Sequence, residues 1–159
     1  MKSRVILLAL ALAAPGLSWA AAARLTEPEV RAFVERQSRA WNARELSAYF
    51  ATFTPKATFT DRGRAKDGRV VPYGTSTLVE AERQTRRSLG RSKVRETTTV
   101  RTIRLAPDGR SAQVASDELT LITEDGHVRK VCGEREQTVV ATPRGPRSTG
   151  QVDTIFECR

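Results

Sequence analysis

The sequence predicts a single-domain α+β fold in which three N-terminal helices pack on a curved antiparallel sheet. Amphipathic helical spacing is confined to the chain before Gly90, and the chain after it consists of long segments rich in β-branched residues. A run of helices followed by a run of strands is the α+β pattern, not the alternation of a parallel sheet. The long segments are separated by Pro107-Asp108-Gly109, Asp125-Gly126 and Pro143-Arg144-Gly145-Pro146, turn signals at hairpin spacing. Cys132 and Cys158 lie equally far from Gly145, at the centre of the last of these turns. Residues equidistant from a hairpin centre face each other with Cα atoms about 4.5–5.5 Å apart, within reach of a disulfide.

The elements follow in order. Residues 1–20 read as a secretory signal peptide: Lys2 and Arg4, an apolar run from Val5 to Ala14, then Pro15-Gly16-Leu17-Ser18-Trp19-Ala20. The run is too short for a membrane span, which needs roughly 20 apolar residues. Cleavage near Ala20 leaves a chain of ordinary single-domain size, exported to the periplasm or beyond, where a cysteine pair is expected to be oxidised. Thr26 and Glu29 form a capping-box pattern, and Val30, Phe33, Val34 and Trp41 recur at helical spacing behind it. A shorter helix carries Leu46, Tyr49, Phe50 and Phe53 and stops before Pro55. Ala57 to Asp61 has strand composition, with Gly68 to Tyr73 as its hairpin mate. Ser76 or Thr77 opens a third helix with Leu78, Val79 and Leu89 inward and Gly90 at its end. Lys93–Leu105, Arg110–Glu124, His127–Thr142 and Ser148–Cys158 then form a four-stranded antiparallel meander.

Composition narrows function by exclusion. Lys plus Arg number 27 against 18 Asp plus Glu, a formal net charge of +9, and there is one His. No Walker loop, GxGxxG, HExxH or GxSxG is present, so no cofactor and no metal is expected. Nucleic acid is not expected as a partner of an exported chain lacking a recognition motif. Arg83, Arg86, Arg87 and Arg91 form the densest basic cluster, read first as a solvated helix face and second as a surface for an anionic partner. His127 follows a hairpin turn, an ordinary place for a solvated polar residue.

Hairpin register gathers a set of acids. With Asp125-Gly126 as a two-residue turn, Asp117 faces Glu134 and Ala115 faces Glu136. Across the last hairpin, centred on Gly145, Glu134 faces Phe156 and Glu136 faces Thr154. Asp117, Glu134 and Glu136 thus share a face with Leu119, Cys132, Val152, Phe156 and Cys158, which suggests the pocket-lining side. Opposed carboxylates in an apolar setting raise one another's pKa, as acid–base chemistry requires; arginines on neighbouring strands would instead neutralise them. Val131, Val139 and Ile155 fall on the opposite face, and an exposed apolar stripe there would mark a homodimer contact.

The stretch Trp41-Asn42-Ala43-Arg44-Glu45-Leu46, then Tyr49-Phe50, then Pro55-Lys56-Ala57-Thr58-Phe59-Thr60-Asp61 resembles the opening of the nuclear-transport-factor-2-like superfamily, which includes SnoaL-like polyketide cyclases and ketosteroid isomerases. The resemblance implies a cone-shaped domain over residues 25–158, a pocket between helices and concave sheet, and sheet-to-sheet dimers. It places the isomerase general base at Asp61, puts Gln37 where the isomerase has a Tyr, and puts Glu136 near its third acid. The candidate catalytic residues are therefore Asp61, Asp117 and Glu136. Trp41, Tyr49, Phe59, Glu134 and Phe156 are candidates for lining a ligand pocket, although aromatic residues at such spacing also make plain core. Three functions follow as expectations. The first is an exported domain binding a small apolar or amphipathic molecule. The second is a proton-transfer enzyme using Asp61 with Glu136 or Asp117, and the third a ligand-free interaction module for an anionic partner.

Overall fold

The computed structural model describes residues 24–90 and 92–158; the expected signal peptide and Arg91 of the basic cluster lie outside the described residues. The chain forms α1 (Glu27–Asn42), α2 (Leu46–Phe50), β1 (Phe53–Arg64), β2 (Val70–Thr77), α3 (Leu78–Leu89), β3 (Lys93–Leu105), β4 (Ser111–Glu124), β5 (His127–Thr142) and β6 (Gly145–Phe156). Helices and one curved, unclosed six-stranded sheet make an α+β domain. β1 and β2 precede α3, in the order read from the sequence. One expectation is corrected: the sheet, ordered β2-β1-β6-β5-β4-β3, is not wholly antiparallel because β1 runs parallel to β6. No helix among the described residues is long and apolar enough to cross a membrane.

Local chemistry explains most boundaries. Thr26 accepts from the Glu29 amide while the Glu29 carboxylate takes the Thr26 amide, so the first four orphan donors of α1 are partly satisfied. Thr77 and Glu80 repeat the device on α3. Phe53 belongs to β1 and not to the second helix, and β1 continues through Pro55. Val79 points outward, 72% exposed, and Ala81 takes the inward place on α3. Two clusters fill the space between helices and sheet. Leu25, Val30, Phe33 and Val34 pack on Ala112, Val114 and Val139, and Leu46, Tyr49, Phe50, Phe53, Ala57, Phe59 and Ala81 form the second.

The β4–β5 register is the one the turn predicts, with Asp117 opposite Glu134 and Ala115 opposite Glu136. The β5–β6 register is two residues off the expectation. The turn is the Pro143-Arg144 pair between Thr142 and Gly145, whose φ of +93° suits a glycine, and an irregularity between Gln137 and Val139 follows. Glu134 therefore faces Thr154, Glu136 faces Val152, and Cys132 faces Phe156. A slip of two keeps every side chain on its face, so Cys132 still reaches Cys158 in a disulfide with Cα atoms 5.1 Å apart.

The helices cover the face opposite the cysteines, which inverts two expectations. Val139 is fully buried under α1, and Val131 and Ile155 line the cavity described below, so these residues are no outer stripe for a dimer. The side chains of Asp117, Glu134, Glu136 and Phe156 point to the face of the sheet away from the helices. The physical reason is that small residues (Ala112, Val114, Ser116) leave room for α1 on the inner face of β4.

Candidate functional site

A cavity of about 380 Å³ opens between α2, α3 and the inner face of the sheet. Trp41, Tyr49, Phe50 and Phe59 form its aromatic wall; Ile122, Val131 and Ile155 line the sheet side, and Ser76, Gln84 and Ser88 add polar lining. The aromatic wall exists because α2 is short and turns at once into β1. Trp41 and Tyr49 stack with ring centres 5.1 Å apart, and Phe53 and Phe59 at 4.7 Å. Trp41, Tyr49 and Phe59 line this cavity, and Asp61 joins them on β1.

The floor is a polar network centred on Arg135 of β5, whose side chain is only 15% exposed. Its Nε donates to Asp153 Oδ1 at 2.7 Å and its Nη1 to Glu96 Oε1 at 3.1 Å. Glu118 Oε1 lies 3.4 Å from the same Nη1, at ion-pair distance but with no hydrogen bond, while Thr98 donates to Glu118 Oε2 at 2.9 Å. Gln151 Nε2 donates to Asp153 Oδ2 at 2.6 Å, and Tyr49 Oη donates to Gln151 Oε1 at 3.2 Å. Cross-strand pairing sets this geometry, since Arg135 is opposite Asp153 and Asp61 is beside Asp153 in the parallel pair.

Electrostatics follow from burial. Loss of water pushes the Glu118 carboxyl up to about 8; Arg135 opposes this, and the neighbouring Glu96 adds to it. Burial also raises Asp61, with the Asp153 charge adding and Arg135 subtracting. Burial works against the charge of Arg135, yet Asp153, Glu96 and the other acids around it hold its pKa well above the ordinary value. Burial raises the Tyr49 phenol strongly, so it stays a donor. The floor can hold a proton on Glu118 and offer a carboxylate at Asp61.

The remaining candidates sit elsewhere. On the outer face Arg64 makes a bidentate pair with Glu134 at 3.1 and 2.5 Å and lies 4.8 Å from the Phe156 ring centre. That pairing holds the Glu134 carboxyl below its ordinary range. Asp117 pairs with Arg101 at 3.2 Å, and Glu136 is exposed. Glu134 borders the cavity, and its carboxylate pairs with Arg64. Gln37 is buried in α1 and donates to Thr52 at 2.9 Å, apart from the cavity lining. Sequence reasoning missed Glu96, Glu118, Arg135 and Asp153. Among the described residues, no group of three or more His, Cys, Asp or Glu side chains could hold a metal ion.

No protein-family model matches the chain, and no curated protein matches its sequence. Its fold does match solved structures. A ketosteroid isomerase-like protein from Erwinia carotovora atroseptica superposes with TM-score 0.62 at 12% identity, covering 80% of this chain and 94% of that one. The β subunit of a putative aromatic-ring-hydroxylating dioxygenase from Novosphingobium aromaticivorans gives 0.67 at 11% identity, covering 84% and 90%. A nuclear-transport-factor-2-like protein of unknown function from Shewanella oneidensis gives 0.58 at 13% identity, covering 80% and 97%. The fold is therefore nuclear-transport-factor-2-like, and identities this low speak to fold alone.

Proposed function

We propose that this chain is an exported binding protein that takes a small amphipathic molecule into the cavity between its helices and sheet. The observation that carries the reading is the division of that cavity into an aromatic wall of Trp41, Tyr49, Phe50 and Phe59 and a polar floor around Arg135. Concave sites with apolar walls and a few convergent polar groups are where small ligands bind. Export rests on residues 1–20 and agrees with the Cys132–Cys158 disulfide. Trp19 lies within the leader, so cleavage near Ala20 leaves Trp41 as the single tryptophan. Native mass spectrometry of protein purified from its own envelope should show a mass starting at Ala21 to Arg24 plus a bound small molecule. Ligand removal should then change Trp41 emission. An unprocessed mass would end the export reading, and an empty cavity with unresponsive Trp41 would end the binding reading.

A second reading is proton transfer, and Asp61 alone favours it: it lines the cavity, and desolvation with the neighbouring Asp153 charge raises its pKa. The partners first considered, Asp117 and Glu136, are on the outer face. The protonated Glu118 is the acid this reading would use, as a neutral carboxyl able to donate to a developing negative charge.

A further inference from the structure

The cavity concentrates acid in a basic chain. Against 27 Lys plus Arg and 18 Asp plus Glu overall, four carboxyls (Asp61, Glu96, Glu118 and Asp153) line this one space, with Arg135 as the basic residue among them. Glu96 and Glu118 both reach the same Nη1 of Arg135, at 3.1 and 3.4 Å. Asp153 has one oxygen on Arg135 and the other on Gln151. Two observations are then left over. Among the described residues no side chain hydrogen-bonds or ion-pairs with Asp61, which stands beside Asp153. Glu118, 8% exposed on the same floor, has an oxygen without a hydrogen-bond partner. One guanidinium stands against four carboxyls, so the floor is short of positive charge even with a proton on Glu118.

Resting on the binding reading above, we infer that the ligand is a cationic amphipath, an alkyl or aryl ammonium. Its charged head lies beside Asp61 and Asp153, and its apolar body lies along Trp41, Phe50 and Phe59. An ammonium donates to the unpartnered carboxylate and offsets part of the excess negative charge. Its methylenes sit against aromatic faces that attract cations. A neutral head would leave Asp61 uncompensated, and an anionic head would meet like charge in a partly desolvated space.

Three probes with one body separate the cases: 4-phenylbutylamine, 4-phenylbutanol and 4-phenylbutanoate, titrated calorimetrically into the purified disulfide-bonded protein. The amine should bind at least about ten-fold tighter than the alcohol, a difference of about 1.4 kcal/mol, and the carboxylate should bind weakest. Asp61→Asn should bring the amine down to the alcohol while leaving alcohol binding in place, which also shows the variant is folded. Alcohol or carboxylate matching the amine in the unaltered protein would overturn the cationic class and leave the binding reading standing. Amine preference persisting in Asp61→Asn would overturn the placement of the head. No binding of any probe at millimolar concentration would overturn both readings.

Discussion

Arg135 on β5 and Asp153 on β6 stand directly opposite one another, and their side chains meet at 2.7 Å on the inner face of the sheet. The ladder fixes the two Cα positions, so the pair forms without ordering a loop, and Glu96 and Gln151 hold the remaining ends in place. Buried charges persist only when paired and hydrogen-bonded. This pair therefore anchors the cavity floor, and its removal is the most direct probe of it.

Arg135→Met keeps the length of the stem and removes the charge. It leaves Glu96, Glu118 and Asp153 in a water-poor space without the cation they share. Breaking one side of a buried ion pair costs about 3–5 kcal/mol, and urea denaturation should show a loss of that size. Arg135→Lys should fall between, since an ammonium lacks the planar fork that reaches three acids. A loss below about 1 kcal/mol in the Met variant would mean that the acids neutralise themselves by protonation.

Stability should fall as pH rises from weak acid towards pH 8. The ordinary Glu118 value is 4.5 and the folded one about 8. Below the first value folded and unfolded chains both carry the proton; between the two only the folded chain does. The folded chain then binds more protons, so the stability this group contributes drains away with rising pH and levels off above 8. The slope from this one group approaches at most about 1.4 kcal/mol per pH unit. Glu29, Glu80 and Glu134 have lowered values and act oppositely, losing their contribution only as the solution becomes acidic. Glu118→Gln mimics the protonated acid and should flatten the profile between pH 5 and 8. An unchanged profile in that variant would show that Glu118 is not the group responsible.

The disulfide joins residues 26 apart across the end of the last hairpin. Closing a loop of that size constrains the unfolded chain by roughly 3–4 kcal/mol in the chain-entropy model. A double Cys132→Ser, Cys158→Ser variant should unfold at correspondingly lower urea. Equal midpoints for the oxidised protein and the variant would contradict this. Two alkylatable thiols in unreduced, unfolded protein would contradict the bond itself.

The capping box at Thr26, the Asp125-Gly126 turn and the cysteine pairing were all legible in the sequence, because each is settled by neighbours or by parity. What could not be read was which face of the sheet the helices cover. On β4 Asp117 and Glu118 are adjacent, and on β5 Glu134, Arg135 and Glu136 are adjacent, so both faces carry charge. Both also carry apolar residues, with Val131 and Val139 on one and Cys132 and Phe156 on the other. Alternation separates two such faces without ranking them. The ranking came from small residues on β4 that admit α1, a signal visible only once the partner helix is known. The parallel β1–β6 pairing was hidden for a similar reason, since no short turn announces a contact between strands so far apart in sequence. Aromatic residues of the wall were legible because α2 and β1 are local.

At Gly150 the backbones of β1 and β6 lie close together. Its φ is +144°, and a Cβ there would run into the backbone of Thr58. Gly150→Ala must therefore both adopt a disfavoured conformation, costing about 1–3 kcal/mol, and push β1 away from β6. The loss should exceed that strain alone, and hydrogen exchange should accelerate in β1 ahead of β4 and β5. Wild-type stability in the variant would mean that the two strands can separate without cost, and that the floor at Asp61 and Asp153 is held some other way.

Carboxyl-carbon NMR separates the two faces of the sheet in one measurement. Glu134 and Glu118 lie on neighbouring strands but face opposite ways, and their surroundings push them in opposite directions. Arg64 grips both oxygens of Glu134, favouring the charged form, so Glu134 should titrate below the ordinary glutamate value. Glu118 is buried and beside another acid, so it should titrate near 8. Arg64→Ala removes the fork from Glu134 and should move its titration upward while Glu118 stays where it is, because no contact of Arg64 reaches the inner face. If Glu134 titrates high and Glu118 at an ordinary value, the assignment of faces is reversed and the outer acids become the ones to pursue. If both titrate low, burial on the floor is relieved by water, and a cavity so hydrated could neither keep a proton on Glu118 nor favour an amphipathic guest over solvent.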